Sequence, residues 1–383
     1  MMARPGALAL LALASTCASA AGHKATLITL DNDPRLERTR VERAYFGHPT
    51  GPAADGIAVA LKEAQLELSA AGTALAVDPV AVASQDAARA AAAQAEKSGQ
   101  MALVTDLPAD WTLAVADAVK LPVLNVGNAE DRLRERDCRP RLYHLIPSER
   151  MRADALAQTL AAARWGQVLL LTGPSAVDSQ RAAVAQASIA RYGLKLAGTK
   201  PFKLSADPRE REQGNLRLLT GGSYDVVWVV DSDGEFARSL PYRTVLPRPV
   251  VGDAGLTALA WHAQFERFGA PQVSRRFTRA TQRAMGAGDW AAWMAGKALA
   301  AAAAASPKGP AGPFAQALAA VDLDGSKGVS MGFRPWDGQL RQRLLLTDGQ
   351  GVVAYAPADG ILHPKNTLDT LGGDAPEKLC KAR

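Results

Sequence analysis

Short apolar runs alternate with longer amphipathic stretches along most of this chain, and that alternation predicts the fold. Residues 25–30 (ATLITL) read as a buried strand. A loop rich in Asp, Arg, Gly and Pro follows at 31–51. Residues 52–68 then place Ile57, Leu61, Ala64 and Leu68 at helical spacing, with Pro52 at the start, where a helix tolerates it. Further strands are expected at 74–82, 101–104 and 122–126, with helices at 85–97 and 109–119. Such strict alternation predicts a parallel, doubly wound sheet.

The pattern restarts after the polar stretch 128–141. Strands are expected at 143–146, 168–171, 194–202, 225–230 and 250–251, and helices at 149–163, 176–192 and 209–219. The remainder is not a third half. Residues 257–305 read as nearly all helical, and the Ala-rich end, 291–305, requires very close packing. A Pro/Gly break at 306–313 precedes a short helix at 314–321, and 340–346 and 352–355 alternate across Asp348-Gly349, a hairpin signal. A tail added after two α/β units must cross back over both, so several connections join the halves and let them close on a ligand. The expected class is α/β, with two doubly wound parallel-sheet lobes joined by a multi-strand hinge. Lobe 1 is assigned to 21–142 plus 256–335, lobe 2 to 143–255 plus 336–365, and a C-terminal tail to 366–383.

Composition narrows the setting. A chain of 383 residues exceeds one ordinary core and fits two domains. Residues 1–20 carry Arg4, an apolar core at 7–14 and Ala18-Ser19-Ala20, the pattern of a secretory signal peptide. The apolar run is too short to span a bilayer. Cys17 sits where a lipoprotein cysteine would, but Ala14-Ser15-Thr16 lack the Leu and the small residue such processing prefers. The mature protein is therefore expected to start near Ala21 and to work in the periplasm. Only Cys138 and Cys380 survive cleavage, and an oxidising compartment favours their pairing over the alternative of two buried free thiols. The net charge is +6, yet its densest run, RERDCRPR at 134–141, is interrupted by two acids. A surface that tracks nucleic acid needs clustered Lys and Arg, so none is expected. A basic exported protein suits an acidic small molecule or an anionic surface.

Motifs for catalysis were sought and are absent: there is no GxSxG, HExxH, GxGxxG or Walker sequence. The five His residues stand without a Cys or second His at ligand spacing, so no metal site is expected. Two acidic turns, 231–235 and 322–325, are fragments of calcium loops without the closing Glu. No nucleophile and base stand out as a pair, so no enzyme is expected. What remains are loops at the carboxyl ends of the strands, where doubly wound sheets bind ligands. They supply Arg43, Tyr45, His48, Asp106, Trp111, Asn125, Asp231, Arg238 and Trp261, joined by Arg152, Ser179 and Trp290 on neighbouring helices. Helix starts at Ala109 and Ser175 would point N–H groups into a cleft and favour an anion. Arg43, Arg152 and Arg238 with Tyr45 and Trp111 would suit a flat carboxylate-bearing ligand, because Arg pairs with carboxylates and stacks on rings. Each also has a plainer reading: Trp111 packs equally well under its loop, and one of Trp290 and Trp293 belongs to a core.

Several segments carry a resemblance in their order along the chain: GPAADGIAVALKEAQ at 51–65, LPVLN at 121–125, YHLIPS at 143–148, VLLL at 168–171 and GDWAAWMAGKALAAA from Gly288. Over essentially its whole mature length the chain resembles the type I periplasmic solute-binding proteins of the branched-chain amino acid ABC-transporter class. It departs from amino-acid binders at 106–111, where those proteins carry small hydroxyl residues for the α-carboxylate and α-amino groups. The variant pattern at 45–49, 107–111 and 289–293 resembles a subgroup associated with pyrroloquinoline quinone (PQQ)-dependent alcohol oxidation. The resemblance implies a receptor with no cofactor of its own, which delivers PQQ or a related metabolite to an ABC-transporter permease in the inner membrane. Its alternatives are a receptor for an amino acid, amide or alcohol-derived acid, and an accessory or sensor protein of a quinoprotein dehydrogenase system.

Overall fold

The computed structural model describes residues 21–37, 51–307 and 311–382. The expected leader at 1–20 and the candidate residues Arg43, Tyr45 and His48 lie outside the described residues.

The first lobe is built on β1 (Ala21–Leu30), α1 (Ala53–Glu63), α2 (Gln65–Ala70), β2 (Thr73–Val82), α3 (Gln85–Lys97), β3 (Ala102–Asp106), α4 (Ala109–Ala118), β4 (Val123–Asn125) and β5 (Leu142–His144). Its five strands are all parallel, in the order β2-β1-β3-β4-β5. Local chemistry marks the helix starts. Ser84 accepts from Ala87 N at 3.1 Å to cap α3, whose Ala88, Ala92 and Ala95 recur on one buried face.

The second lobe comprises α5 (Glu149–Ala162), β6 (Gln167–Thr172), α6 (Ala176–Arg191), β7 (Lys195–Pro201), α7 (Leu216–Leu219), β8 (Val226–Val230), α8 (Glu235–Ser239) and β9 (Val250–Gly252). Its parallel sheet runs β7-β6-β8-β9. Strand order reverses at β1/β3 in one sheet and at β6/β8 in the other, and the crevices there face the loops that follow. The helix expected at 209–219 is instead a 3-10 segment, Pro208–Gly214, followed by α7. Asn215 separates them by capping Arg217 N at 3.0 Å, which starts a new helix.

Beyond β9 the chain forms β10 (Thr257–Leu259), α9 (Ala270–Thr281), α10 (Ala287–Ala305), α11 (Ala311–Ala319), a small hairpin of β11 (Leu323–Asp324) and β12 (Ser330–Met331), and then β13 (Leu344–Thr347) and β14 (Val352–Ala356). The near-continuous helix expected over 257–305 is therefore interrupted. Residues 257–259 pair antiparallel with β13, about ninety positions away, a contact that local periodicity does not carry. The hairpin expected across Asp348-Gly349 is present as β13–β14. The Ala-rich α10 lies against α1, and a Cβ on Gly296 would meet Ala60 Cβ at 2.7 Å. Small residues thus set the separation of the two helices.

The sheet β10-β13-β14 sits between the lobes. Leu344 and Leu346 belong to the lobe-2 core and Leu345 to the lobe-1 core, the alternation of a strand buried on both faces. The two neighbouring crossings are bonded together: His144 N donates to Gly338 O and Leu340 N to His144 O, both at 2.9 Å, and Gln342 Nε2 donates to Leu145 O at 2.8 Å. This is the hinge.

Candidate functional site

Two walls face each other across the carboxyl ends of the strands. On lobe 1, Asp106 closes β3 and receives Arg35 Nη2 at 2.7 Å, while Arg35 Nε is also held by Asp33 at 3.0 Å. Burial pushes the Asp106 carboxyl above the usual carboxylate range, against the pull of Arg35. Gly127, in the turn after β4, lies so close that a Cβ there would overlap the Asp106 carboxylate. Asn125 shapes this turn: its Oδ1 accepts from Gly127 N at 3.2 Å and Asn128 N at 2.9 Å, and its Nδ2 donates to Asn128 O at 2.7 Å.

On lobe 2 the wall is made by the starts of α5 and α6. Ser148 caps α5 through Met151 N at 3.2 Å, and this sets Glu149 and Arg152, both half-buried, on the first turn. Between the walls lies a cleft of about 870 Å³, lined by Asp110, Asn128, Glu149, Arg152, Gln180 and Arg181 among others. A smaller chamber of about 220 Å³ enters lobe 2 beneath α5 and α6, shares Glu149, Arg152, Arg181 and Val184 with the cleft, and has Leu156, Trp228, Val230, Ala258 and Leu259 in its walls.

Arg181 organises the boundary between the two spaces. It grips Asp253 at both oxygens, 2.9 and 2.6 Å, and reaches Glu149 Oε2 with Nε at 3.2 Å. Burial lowers the hold of Arg181 on its proton, but Asp253 and Glu149 more than restore it. Burial drives the Asp253 carboxyl up despite Arg181 and the backbone N–H of Asp231. Glu149 behaves oppositely: burial would raise it, yet Arg152 and Arg181 hold it below the usual range. Arg152 is less well matched. Its Nη1 lies 3.4 Å from Glu149 Oε1, while its buried Nε has no hydrogen-bond partner among the described residues.

The described candidates from the sequence are thus dispersed. Arg152 lies in the cleft wall and in the chamber wall. Asp106 stands behind Gly127, and Asn125 supports that turn. Asp231 caps α8 by accepting from Ala237 N at 2.8 Å. Ser179 is exposed and donates to Ser175 O at 3.2 Å within its own helix, and Arg238 is exposed on α8. Trp111 is half-buried against the lobe-1 core. Trp261 and Trp290 are wholly buried in that core and stack 6.4 Å apart, with Trp290 Nε1 donating to Gly325 O at 3.1 Å. The rings serve packing there: Trp290 lies against Gly325, just after β11, and Trp261 stacks on Trp290 within the core. Glu149, Arg181 and Asp253 escaped the sequence reading. The first had a signal, a Ser148 cap directly before it; the Arg181–Asp253 pair spans 72 positions and is visible only in three dimensions.

No protein-family profile matches the chain, and no curated protein sequence matches it. Among solved structures, a branched chain amino acid ABC transporter periplasmic ligand-binding protein from Burkholderia xenovorans aligns with a TM-score of 0.71 at 14% identity, covering 94% of this chain and 99% of that one. The chain has the type I periplasmic binding protein fold. A solute binding protein of an ABC transporter from R. palustris, in complex with benzoate, aligns at TM-score 0.63 and 14% identity over 90% of this chain and 100% of that one. A substrate-binding protein from Desulfitobacterium hafniense in complex with Leu gives 0.65 and 15% over 87% and 99%. In this periplasmic-binding fold the described residues hold no cluster of three or more His, Cys, Asp or Glu arranged for a metal ion. They also include no helix long and apolar enough to cross a membrane.

Proposed function

We propose that this protein is the substrate-binding component of an ABC importer, exported to the periplasm, which captures a small anionic ligand between its lobes and presents it to a permease. The observation that carries the reading is Arg152: its guanidinium is partly exposed in the cleft wall and holds Glu149 Oε1 only at a long 3.4 Å. A ligand carboxylate would offer it a shorter, charge-assisted pair. Binding is favoured over catalysis because the lining holds no Ser, Cys, Lys or His, and four of its carboxylates, Asp110, Glu130, Asp131 and Glu149, are taken up by Arg132, the Arg150 N–H and Arg181.

The architecture fits capture by closure. Both walls sit on rigid elements, and the β10-β13-β14 hinge joins them. Among aromatic acids PQQ makes the largest demand, with three carboxylates on a tricycle. Trp111, the described ring expected to stack on a flat acid, packs half-buried against a lobe-1 core, and Trp261 and Trp290 are enclosed. Smaller acids therefore make better first probes.

The test is calorimetric titration of the mature protein with benzoate, PQQ, leucine and an alcohol-derived acid, paired with uptake of the bound compound in a deletion strain. Saturable binding of an acid together with loss of its uptake is expected. Binding without any uptake defect would argue against the importer role, and no binding at all would remove the receptor reading.

A further inference from the structure

We infer that the foot of lobe 2, the end opposite the cleft, docks reversibly on an anionic lipid bilayer. Four loops meet there, at 163–166, 192–194, 220–225 and 243–249, each leading into the amino end of a parallel strand. Hydrogen bonds stitch them into one face. Lys195 N donates to Gly166 O and Asp225 N to Gln167 O, both at 2.8 Å, and Val227 N donates to Pro249 O at 2.9 Å. Val245 N donates to Thr220 Oγ1 at 3.0 Å, and Tyr224 OH donates to Thr220 O at 2.7 Å. Pro241, Pro247 and Pro249 stiffen the backbone around the last loop, so its side chains are presented by a fixed frame.

Charge decides the sign of the partner. Arg164, Lys195, Arg217, Arg243 and Arg248 are all exposed on or beside these loops, and none of the five is in an ion pair among the described residues. The arginines of α6, by contrast, are taken up: Arg181 by Asp253 and Arg191 by Asp154. The four loops hold a single carboxylate, Asp225, whose Oδ2 accepts from Gln167 N at 2.9 Å. Apolar tips decide the kind of surface. Tyr242 is 85% exposed, Leu218 56% and Val245 46%, and all three stand among those cations. A protein partner needs a pocket for each projecting side chain. A headgroup layer accepts an amphipathic ring and short apolar tips wherever they fall, and its phosphates pair with guanidinium groups. Each cation at an anionic bilayer is worth about fivefold in binding, so five hold the protein there without fixing it irreversibly. In that pose the cleft faces away from the lipid and stays free to load.

The experiment is flotation of the mature protein with vesicles of phosphatidylglycerol and phosphatidylcholine in equal parts, and with phosphatidylcholine alone. Binding to the mixed vesicles is expected to be at least about tenfold tighter, and to be lost at about 0.5 M salt as the charges are screened. Arg243→Glu with Arg248→Glu is expected to weaken it at least about tenfold. Lys97→Glu with Lys120→Glu makes the same change in net charge at exposed positions of lobe 1, and should leave it within about twofold. Circular dichroism checks that both double variants are folded. Tyr242→Trp adds a reporter at the tip, and brominated lipid is expected to quench its emission beyond that of the native protein. No flotation, equal affinity for the two lipids, equal losses in the two double variants, or no added quenching would each overturn the inference. A partner with an acidic protein surface would give the first of these results. None of the readouts involves the cleft, so the ligand reading stands or falls separately.

Discussion

Cys138 and Cys380 form a disulfide across 242 positions, and the bond joins segments held by different lobes. The Cys138 segment is anchored on lobe 1, where Arg139 grips Asp117 at 2.6 and 3.0 Å and Arg132 reaches Asp110 at 2.6 Å. The tail leading to Cys380 is anchored on lobe 2: Gly372 N donates to Asp154 Oδ2 at 2.9 Å, and Tyr192 OH donates to Thr370 O at 2.7 Å. Closing so long a loop restricts the unfolded chain, and disulfides of this kind contribute about 2–4 kcal/mol. Reduction, or Cys138→Ser, is expected to lower the urea midpoint accordingly. Equal midpoints with and without reductant would show that the tail's other anchors suffice.

The hinge depends on a buried ion pair. Arg334 and Asp369 are each 1% exposed at the side chain and meet at 2.9 Å. Arg334 Nη2 also donates to Leu368 O at 2.7 Å and Leu371 O at 2.8 Å, and Asp369 holds Arg341 as well. Removing Asp369 leaves the buried Arg334 charge with the tail carbonyls and only a distant carboxylate, Asp337 at 3.7 Å. Asp369→Ala is expected to cost about 3–5 kcal/mol in equilibrium unfolding. A loss under about 1 kcal/mol would mean that the tail carbonyls alone satisfy the guanidinium.

Much of this architecture was legible before any coordinates, because its signals are local. The strand at 73–82 and the helix at 85–97 follow from apolar runs, a Ser cap and periodic Ala residues. The hinge strand at 257–259 was not legible, since three residues carry no period and their partners come from β13. The site divides in the same way. Strand ends point to the loops, and Arg152 stands near them. The Arg181–Asp253 grip and its tie to Glu149 arise from the closure of lobe 2, and aromatic residues signalled stacking where α10 needed packing. Trp261 and Trp290 look alike in a sequence whether they line a ligand or a core.

Gly127 and Asp106 are in such close contact that the glycine cannot accept a side chain without movement. Gly127→Ala is expected to displace the Asp106 carboxylate from Arg35 and to destabilise lobe 1 by about 1–3 kcal/mol, the usual cost of overpacking. A double-mutant cycle isolates the cause. If the clash is with the carboxylate, Gly127→Ala should cost much less in an Asp106→Ala background. Strict additivity would place the strain elsewhere in the turn.

Lys327 is wholly buried, and its amine lies 3.5 Å from the centre of the Trp290 ring, 3.1 Å from Gln342 Oε1 and 3.0 Å from Arg343 O. Burial, reinforced by the Arg343 charge, moves its pKa well below that of an ordinary lysine. In the unfolded chain the same amine titrates near 10.4. Between these two values the unfolded state binds more protons than the folded state, so the Lys327 contribution to stability rises with pH, by about 1.4 kcal/mol per unit inside the window. It is complete above the unfolded pKa and is lost as pH falls through the folded one. Urea unfolding of the protein and of Lys327→Met at pH 7 and pH 9.5 separates this from the background titration of other groups. The stability difference, native protein minus variant, is expected to grow toward pH 9.5. A difference that stays flat over this range would show that Lys327 keeps its proton in the fold, held there by Trp290 and the two oxygens.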